Sequence, residues 1–223
     1  MRTGQYHHGD LRAALLDRAE QTLREQGVDA LSLRELARSL DVSHAAPSRH
    51  FKDRRALLDA LALTGIQRLT AAARSGLARS GDDFRERAFA VARAYVDFAT
   101  AHGALLALAF ARKHDPAETD ELERAWQPLK DDLHALIAQG QQQGRIRAGD
   151  ADRIGGIVFT AVHGVATQAA SGLLSGPALD QVFEDLLVHL LRGLEPGADD
   201  EPLAAPVGPA CGPACGPARG PAC

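Results

Sequence analysis

The sequence predicts an all-α protein, and three observations support this fold class. Alanine and leucine dominate while valine, isoleucine and threonine are sparse, which favours helix over strand. Hydrophobic residues make up 45% of the 223 residues, enough to bury a core without disulfides. Apolar positions recur at helical spacing through most of the chain, and glycine, proline and cap residues interrupt them where helices would end. About nine helices are therefore expected.

Several helix boundaries can be assigned to individual residues. Asp10 is expected to cap the first helix, Gly27 to end it, and Asp53 to cap a longer helix that reaches the low seventies. A break at residues 80–83 separates these from the later helices. Those are expected at about 84–101, 104–111, 120–143 (with a kink at Pro128), 151–171 and 178–192.

Two short helices are expected between residues 32 and 51. The first follows Ser32 and Glu35, which have the spacing of a capping box. The second is expected to start at Ser43 and run to about Phe51 despite Pro47, which removes at most one early hydrogen bond. Two short helices joined by a three-residue bend are the layout of a helix-turn-helix, whose second helix lies in the major groove of DNA.

The second short helix carries the side chains that a DNA-reading helix needs. Alanine methyls can touch thymine methyls, hydroxyl and imidazole groups can bond base edges or phosphates, and basic side chains can reach the backbone. The N-terminus of the preceding helix also attracts phosphate. Taken alone, each of Arg34, Arg49, Arg54 and Arg55 is better explained as part of a solvated face balanced by acidic neighbours, but as a group beside the helix-turn-helix spacing they favour DNA contacts. The candidate DNA contacts are Ser32, Arg34, Ser43, His44, Ala45, Ala46, Ser48, Arg49, His50 and Lys52.

The charge distribution agrees with a DNA-binding segment at the start of the chain. The formal net charge is −4, which argues against a protein coated with nucleic acid. Residues 1–70 hold 11 basic and 9 acidic residues, a net of +2, and the remainder has a net of −6. Only the first part is therefore expected to meet a polyanion.

Residues 6–62, YHHGDLRAALLDRAEQTLREQGVDALSLRELARSLDVSHAAPSRHFKDRRALLDALA, closely resemble the DNA-binding domain of the TetR/AcrR family of repressors. The glycine after helix 1 and the segments SLRELA, VSHAAP, RHF and KD follow in family order without gaps. The resemblance implies a helix-turn-helix domain (1–70) and an all-α effector-binding and dimerisation domain (71–194). The opening YHHG and the later Val162-His163-Gly164 resemble one subgroup of the family.

Ser48 departs from the family pattern. It stands where the family usually has a tyrosine that contacts phosphate and packs on the edge of the duplex. A serine hydroxyl still bonds phosphate, but it is shorter and lacks the ring. We therefore hypothesise that Ser48→Tyr tightens binding evenly across DNA sequences.

A stripe of small residues in the second half of the chain is a candidate helix-packing surface. Gly156, Thr160 and Gly164 are spaced four residues apart, so another helix can approach closely. Periodicity alone also allows an ordinary intramolecular core, but the family resemblance favours a homodimer. The candidate dimer interface comprises Gly156, Thr160, Gly164, Val182, Phe183, Leu186 and Leu190.

The aromatic residues of the middle helices are candidates for an effector cavity, since ligand sites are concave and largely apolar. His163 is also compatible with a hydrogen-bonded core histidine. The candidate cavity residues are Tyr95, Phe98, Phe110, Trp126, Phe159 and His163. No cofactor is expected beyond a small-molecule effector.

The sequence holds no recognised catalytic motif, so an enzyme is not expected. All three cysteines lie in residues 195–223, a tail rich in glycine and proline that is expected to be disordered and without a metal site. No signal peptide is recognised, and the uncharged run 154–179 holds too many polar groups for a lipid-facing helix. A cytoplasmic protein without membrane contact is expected. A helical scaffold and a metal-sensing regulator using His7-His8, each with weakened DNA binding, remain alternatives.

Overall fold

The computed structural model describes residues 8–113 and 120–197. Over those two ranges the chain forms seven α-helices, two 3₁₀ turns and no strand, which confirms the all-α prediction. The helices are α1 (His8–Gln26), α2 (Leu33–Ser39), α3 (Arg54–Arg79), α4 (Phe84–Lys113), α5 (Asp120–Gln142), α6 (Ala151–Ala170) and α7 (Gly176–Gly193). The 3₁₀ turns are Val28–Ala30 and Pro47–Arg49. Most of the predicted tail, residues 198–223, lies outside the described residues, as does His7.

Residues 8–61 form a small N-terminal unit, here called the head, and the described residues from 62 to 197 form the body. Helix α3 begins in the head and continues into the body, so the predicted boundary at residue 70 falls inside a helix. One core cluster runs through both units and contains Leu15 and Leu57 of the head with Leu105 and Leu122 of the body. The head is thus packed against the body and not merely tethered to it.

The first helix begins earlier than predicted. It starts at His8, so Asp10 lies within the helix and is not its cap. The predicted end is confirmed: Gly27 follows the helix with φ +83°, a left-handed conformation that glycine adopts without steric cost.

The predicted capping box at the start of α2 does not form. Ser32 occupies the N-cap position with extended backbone, but its side chain makes no capping hydrogen bond. Glu35 instead pairs with Arg38 one turn later. The helix start was therefore correctly predicted, while the reciprocal bonds of the box were not.

The predicted helix from Ser43 to Phe51 is replaced by turns and a single 3₁₀ turn. The amides of Arg49 and His50 donate to carbonyls three residues earlier, at 3.2 and 2.9 Å. Pro47 explains the difference, because it cannot donate the hydrogen bond that an α-helix from Ser43 would need. An α-helical bond appears only at the end, from the amide of Phe51 to the carbonyl of Pro47 at 2.9 Å.

Helix α3 starts as predicted and is longer than predicted. The carboxylate of Asp53 accepts a 2.8 Å hydrogen bond from the amide of Ala56. The helix continues past the low seventies to Arg79. Residues 50–52 separate its capped start from the 3₁₀ turn, and that turn packs against α2.

The two helices predicted at 84–101 and 104–111 are one kinked helix, α4. The kink is at His102, whose φ of −132° and ψ of 36° are not helical. There Gly103 lies so close to α6 that an added Cβ would stand 2.8 Å from the Cβ of Ala170. Among the described helices, α4 is the one long and apolar enough to cross a membrane, and it packs between α3 and α6.

The remaining helices agree with prediction to within a few residues. Helix α5 continues through Pro128. Asp150 caps α6 by accepting from the amides of Asp152 and Arg153, and α7 begins at Gly176. Helices α5 and α6 pack against α4, and α7 packs against α6 and touches α4 through Phe183 and Phe89.

Candidate functional site

All the candidate DNA contacts lie in the head, in the segment that contains α2 and the 3₁₀ turn packed against it. They extend from the start of α2, along the bend and the 3₁₀ turn, to the residue before Asp53. Ser32, Ala46 and His50 are half-buried, and Arg34, Ser43, His44, Ala45, Ser48, Arg49 and Lys52 are exposed.

Buried residues hold the exposed ones in place. Pro47 is buried and Phe51 is 2% exposed, so the 3₁₀ turn is anchored at both ends. The Arg12 guanidinium lies 5.4 Å from the centre of the Phe51 ring, a cation–π arrangement. Ala46 packs against the core. Its methyl group therefore supports the turn, while Ala45 is the alanine open to a groove.

Arg54 is a structural residue of the head. Its Nε donates to the carbonyl of Leu31 at 2.9 Å and its Nη2 to the carbonyl of Val28 at 2.6 Å. These bonds join the first residue of α3 to the segment before α2. Sequence reasoning grouped this arginine with the exposed cations, because a guanidinium bonded to backbone carbonyls has no signature in the sequence.

Five of the six candidate cavity residues form one aromatic cluster in the body. Ring centres are 4.9 Å apart for Phe110 and Trp126, 4.7 Å for Phe110 and His163, and 5.7 Å for Tyr95 and Phe159. The ring of Phe159 stacks on His163 at 5.5 Å. The sixth residue is apart: Phe98 faces His102 at the kink of α4.

A polar pair lies within this aromatic cluster. The hydroxyl oxygen of Tyr95 is 2.7 Å from Nδ1 of His163, which agrees with the interpretation of His163 as a hydrogen-bonded core residue. Burial raises the pKa of the Tyr95 hydroxyl and lowers the pKa of the His163 imidazole. Both shifts favour the neutral form of each group, so the pair is uncharged near neutral pH.

A cavity of about 540 Å³ lies between α5 and α6 beside the aromatic cluster. Phe110, Trp126 and Phe159 line it, and a smaller space of about 70 Å³ lined by Tyr95 shares Phe159 with it. Phe98 and His163 line neither space. The ammonium of Lys113 stands 5.2 Å from the centre of the Trp126 ring.

Sequence reasoning missed the non-aromatic wall of this cavity. On α5 that wall is formed by residues three or four apart from Trp126 onward, a spacing that places them on one face. Following this three- and four-residue spacing along α5 from Trp126 would have identified them. The missed lining residues of this wall are Leu129, Lys130, Leu133 and His134.

The small-residue stripe of α6 is exposed. Gly156, Thr160 and Gly164 face outward, and a Cβ added at either glycine would meet nothing within 4 Å. Beside them Ile157 is 50% exposed and Val182 of α7 is 40% exposed.

The other α7 candidates differ in burial. Leu186 and Leu190 are half-buried. Phe183 is 3% exposed and packs edge-on against Phe89, with ring centres 6.2 Å apart. It belongs to the core of the single chain and not to the exposed face, because α7 turns this position toward α4.

In the part of the chain that the structure covers, no group of three or more His, Cys, Asp or Glu side chains is arranged to hold a metal ion.

Two family sequence models match the chain. The one described as bacterial regulatory proteins, tetR family, matches residues 15–61. The one described as tetracyclin repressor-like, C-terminal domain, matches residues 88–190. Among curated protein sequences, none matches.

Solved structures of similar fold are numerous. A protein of unknown function from Rhodococcus sp. RHA1 is 47% identical with a TM-score of 0.80, over 86% of this chain and 100% of that one. A tetR-family bacterial regulatory protein from Rhodococcus RHA1 is 20% identical with a TM-score of 0.68, over 83% and 97%. AibR, in complex with isovaleryl coenzyme A and operator DNA, is 18% identical with a TM-score of 0.63, over 81% and 98%. The last two likenesses concern the fold alone.

Proposed function

Because the chain belongs to the TetR family of bacterial transcriptional regulators, we propose that it is a ligand-responsive repressor that binds an inverted-repeat operator as a homodimer. The observation that carries the proposal is the arrangement of residues 43–52. Its small and polar side chains are exposed while Pro47 and Phe51 anchor it from below. Such a surface can enter a major groove without rearranging the head.

The face formed by Gly156, Ile157, Thr160 and Gly164 of α6 with Val182, Leu186 and Leu190 of α7, here called the α6–α7 face, is the proposed dimer interface. Exposed glycines allow a helix of the second copy to approach closely, and the half-exposed Ile157 and Val182 supply apolar area to bury. A dimer with two heads fits half-sites about 34 Å apart.

The cavity between α5 and α6 is the proposed effector site. Its aromatic walls favour a largely apolar small molecule, and its volume is within the usual range for ligand pockets. The AibR complex with isovaleryl coenzyme A and operator DNA supports the idea that this fold serves both kinds of binding. An effector that prefers a body conformation with the heads displaced lowers operator affinity by linkage. Neither a membrane nor a catalytic step enters this proposal, and the expected location is the cytoplasm.

Selection of bound fragments from a random duplex pool tests the proposal. We expect an inverted repeat to be recovered, with affinity that falls steeply as salt rises in proportion to the phosphate contacts. Arg49→Ala should weaken binding, whereas Arg38→Ala, which removes an exposed α2 arginine paired with Glu35, should not. A protein that is not retained on any duplex at low salt would exclude the repressor and favour the scaffold alternative.

A further inference from the structure

The last turn of α4 contacts both the cavity and the head. Phe110 and Lys113 line the cavity. Arg112 lies between them in the sequence, but its side chain reaches Asp59 of α3. Successive helical residues point in directions about 100° apart, so a single turn presents two side chains to the cavity and one to α3.

The contact between Arg112 and Asp59 is a well-buried ion pair. The Nε of Arg112 donates a 2.7 Å hydrogen bond to Oδ1 of Asp59, and Nη2 lies 2.6 Å from the same oxygen. The two side chains are 11% and 16% exposed. Separating the two groups would leave a buried charge without its partner, which is unfavourable. The pair therefore holds the end of α4 against α3.

Asp59 lies one and a half turns after the start of α3, where that helix is joined to the DNA-binding segment. Arg54 donates to the carbonyls of Val28 and Leu31, and Asp53, four residues after the end of the 3₁₀ turn, caps the helix. Asp59 also lines a cleft of about 300 Å³ whose other walls include His50 and Lys52 of the head and Glu121 of α5. Because Asp59 lies less than two helical turns from these residues, a displacement of Asp59 would also displace the candidate DNA contacts.

We propose that Asp59 and Arg112 are positioning residues through which operator binding by the head is coupled to the state of the cavity. This inference rests on the proposed function. A ligand that displaces Phe110 or Lys113 rotates the last turn of α4 and strains the ion pair, and through it the start of α3. Coupling is reciprocal, so operator binding must in turn alter the surroundings of Trp126.

Trp126 is the only tryptophan of the chain, and it lines the cavity beneath Lys113. Its emission therefore reports on the cavity without knowledge of the effector. The experiment titrates the full-length protein with its selected operator duplex and follows the emission of Trp126. The variants are Asp59→Asn, Arg112→Met and their combination. Glu20→Gln is the matched control, because Glu20 joins the head to α4 at the kink, with Oε1 3.3 Å from Nδ1 of His102.

We expect operator to change the emission of the unaltered protein and of Glu20→Gln. In Asp59→Asn and in Arg112→Met the change should be at least halved and operator affinity should fall several-fold, with the double variant no worse than either single one. Arg112→Lys, which keeps the charge, should restore part of the response.

Three results would overturn the proposal: a bound operator that leaves the emission of the unaltered protein unchanged, a full response in Asp59→Asn, or an equal loss in Glu20→Gln. Far-UV circular dichroism checks each variant, and Asp59→Glu replaces Asp59→Asn if that variant does not fold. Failure of the unaltered protein to bind duplex would instead reject the proposed function itself.

Discussion

Ser48 is exposed on the 3₁₀ turn, between buried Pro47 and exposed Arg49. A tyrosine here would extend its hydroxyl and ring toward the backbone of a bound duplex without displacing core residues. We expect Ser48→Tyr to tighten binding by a similar factor for the operator and for an unrelated duplex, because phosphate contacts carry no sequence information. Binding measured on both duplexes checks this. Equal or weaker binding would contradict a phosphate-facing position.

Asp53 and Ser32 both occupy N-cap positions, but only Asp53 makes the capping bond. Asp53→Ala should lower the free energy of unfolding by about 0.5–2 kcal/mol, since it leaves the amide of Ala56 without its acceptor. Ser32→Ala should cost less, because it removes no such bond. Urea unfolding of the two variants makes the comparison, and an equal loss in both would show that the capping bond is not the cause.

At the scale of the helix, the sequence predicted where most helices lie, but it did not predict that 84–113 is one continuous helix. The cap at Asp53 and the glycine at residue 27 are local signals, and both are confirmed. The single helix α4 could not be predicted, because its passage through Gly103 depends on close packing against Ala170 of α6. The 3₁₀ turn at Pro47 shows the opposite case: helical spacing predicted an α-helix, but the missing N–H decided the outcome.

The crossing of α3 and α4 depends on Gly76. A Cβ at this position would stand 2.9 Å from the carbonyl oxygen of Ala90, and a backbone atom in α4 cannot easily move away. Gly76→Ala should therefore destabilise the fold by about 1–3 kcal/mol despite the better helix propensity of alanine. Gly193→Ala, where nothing lies within 4 Å, is the matched control. A thermal unfolding temperature of Gly76→Ala equal to or higher than that of the unaltered protein would contradict this packing.

For the molecule as a whole, most residues of the aromatic cluster were predictable, but which of them line the cavity was not. Phe110, Trp126 and Phe159 were selected by residue type, and the structure brings them together from α4, α5 and α6. The cavity prediction also included Phe98, and the interface prediction included Phe183; both are core residues elsewhere. Residue type does not show which way a ring points, so an apolar residue of the core and one of a cavity or interface look alike in sequence.

Assembly is predicted to depend on the α6–α7 face. Ile157→Glu and Val182→Glu place charges where apolar area would be buried between copies, so both should shift the protein from dimer to monomer and weaken binding to an inverted repeat. Val28→Glu changes an apolar side chain of similar exposure, 37%, in the head and should leave the dimer intact. Sedimentation velocity measures the change. Dimers that persist in both α6–α7 variants would place the interface on another surface.

The unbroken course of α3 from head to body has a mechanical consequence. Its 26 residues make a rod about 39 Å long. A tilt of about 5° at the body end would swing the capped end by about 3 Å, close to the rise of one base-pair step. A sub-ångström adjustment around a small molecule can thus become a displacement of several ångströms at the DNA-binding segment. The two segments of a dimer would then no longer match the spacing of successive major grooves.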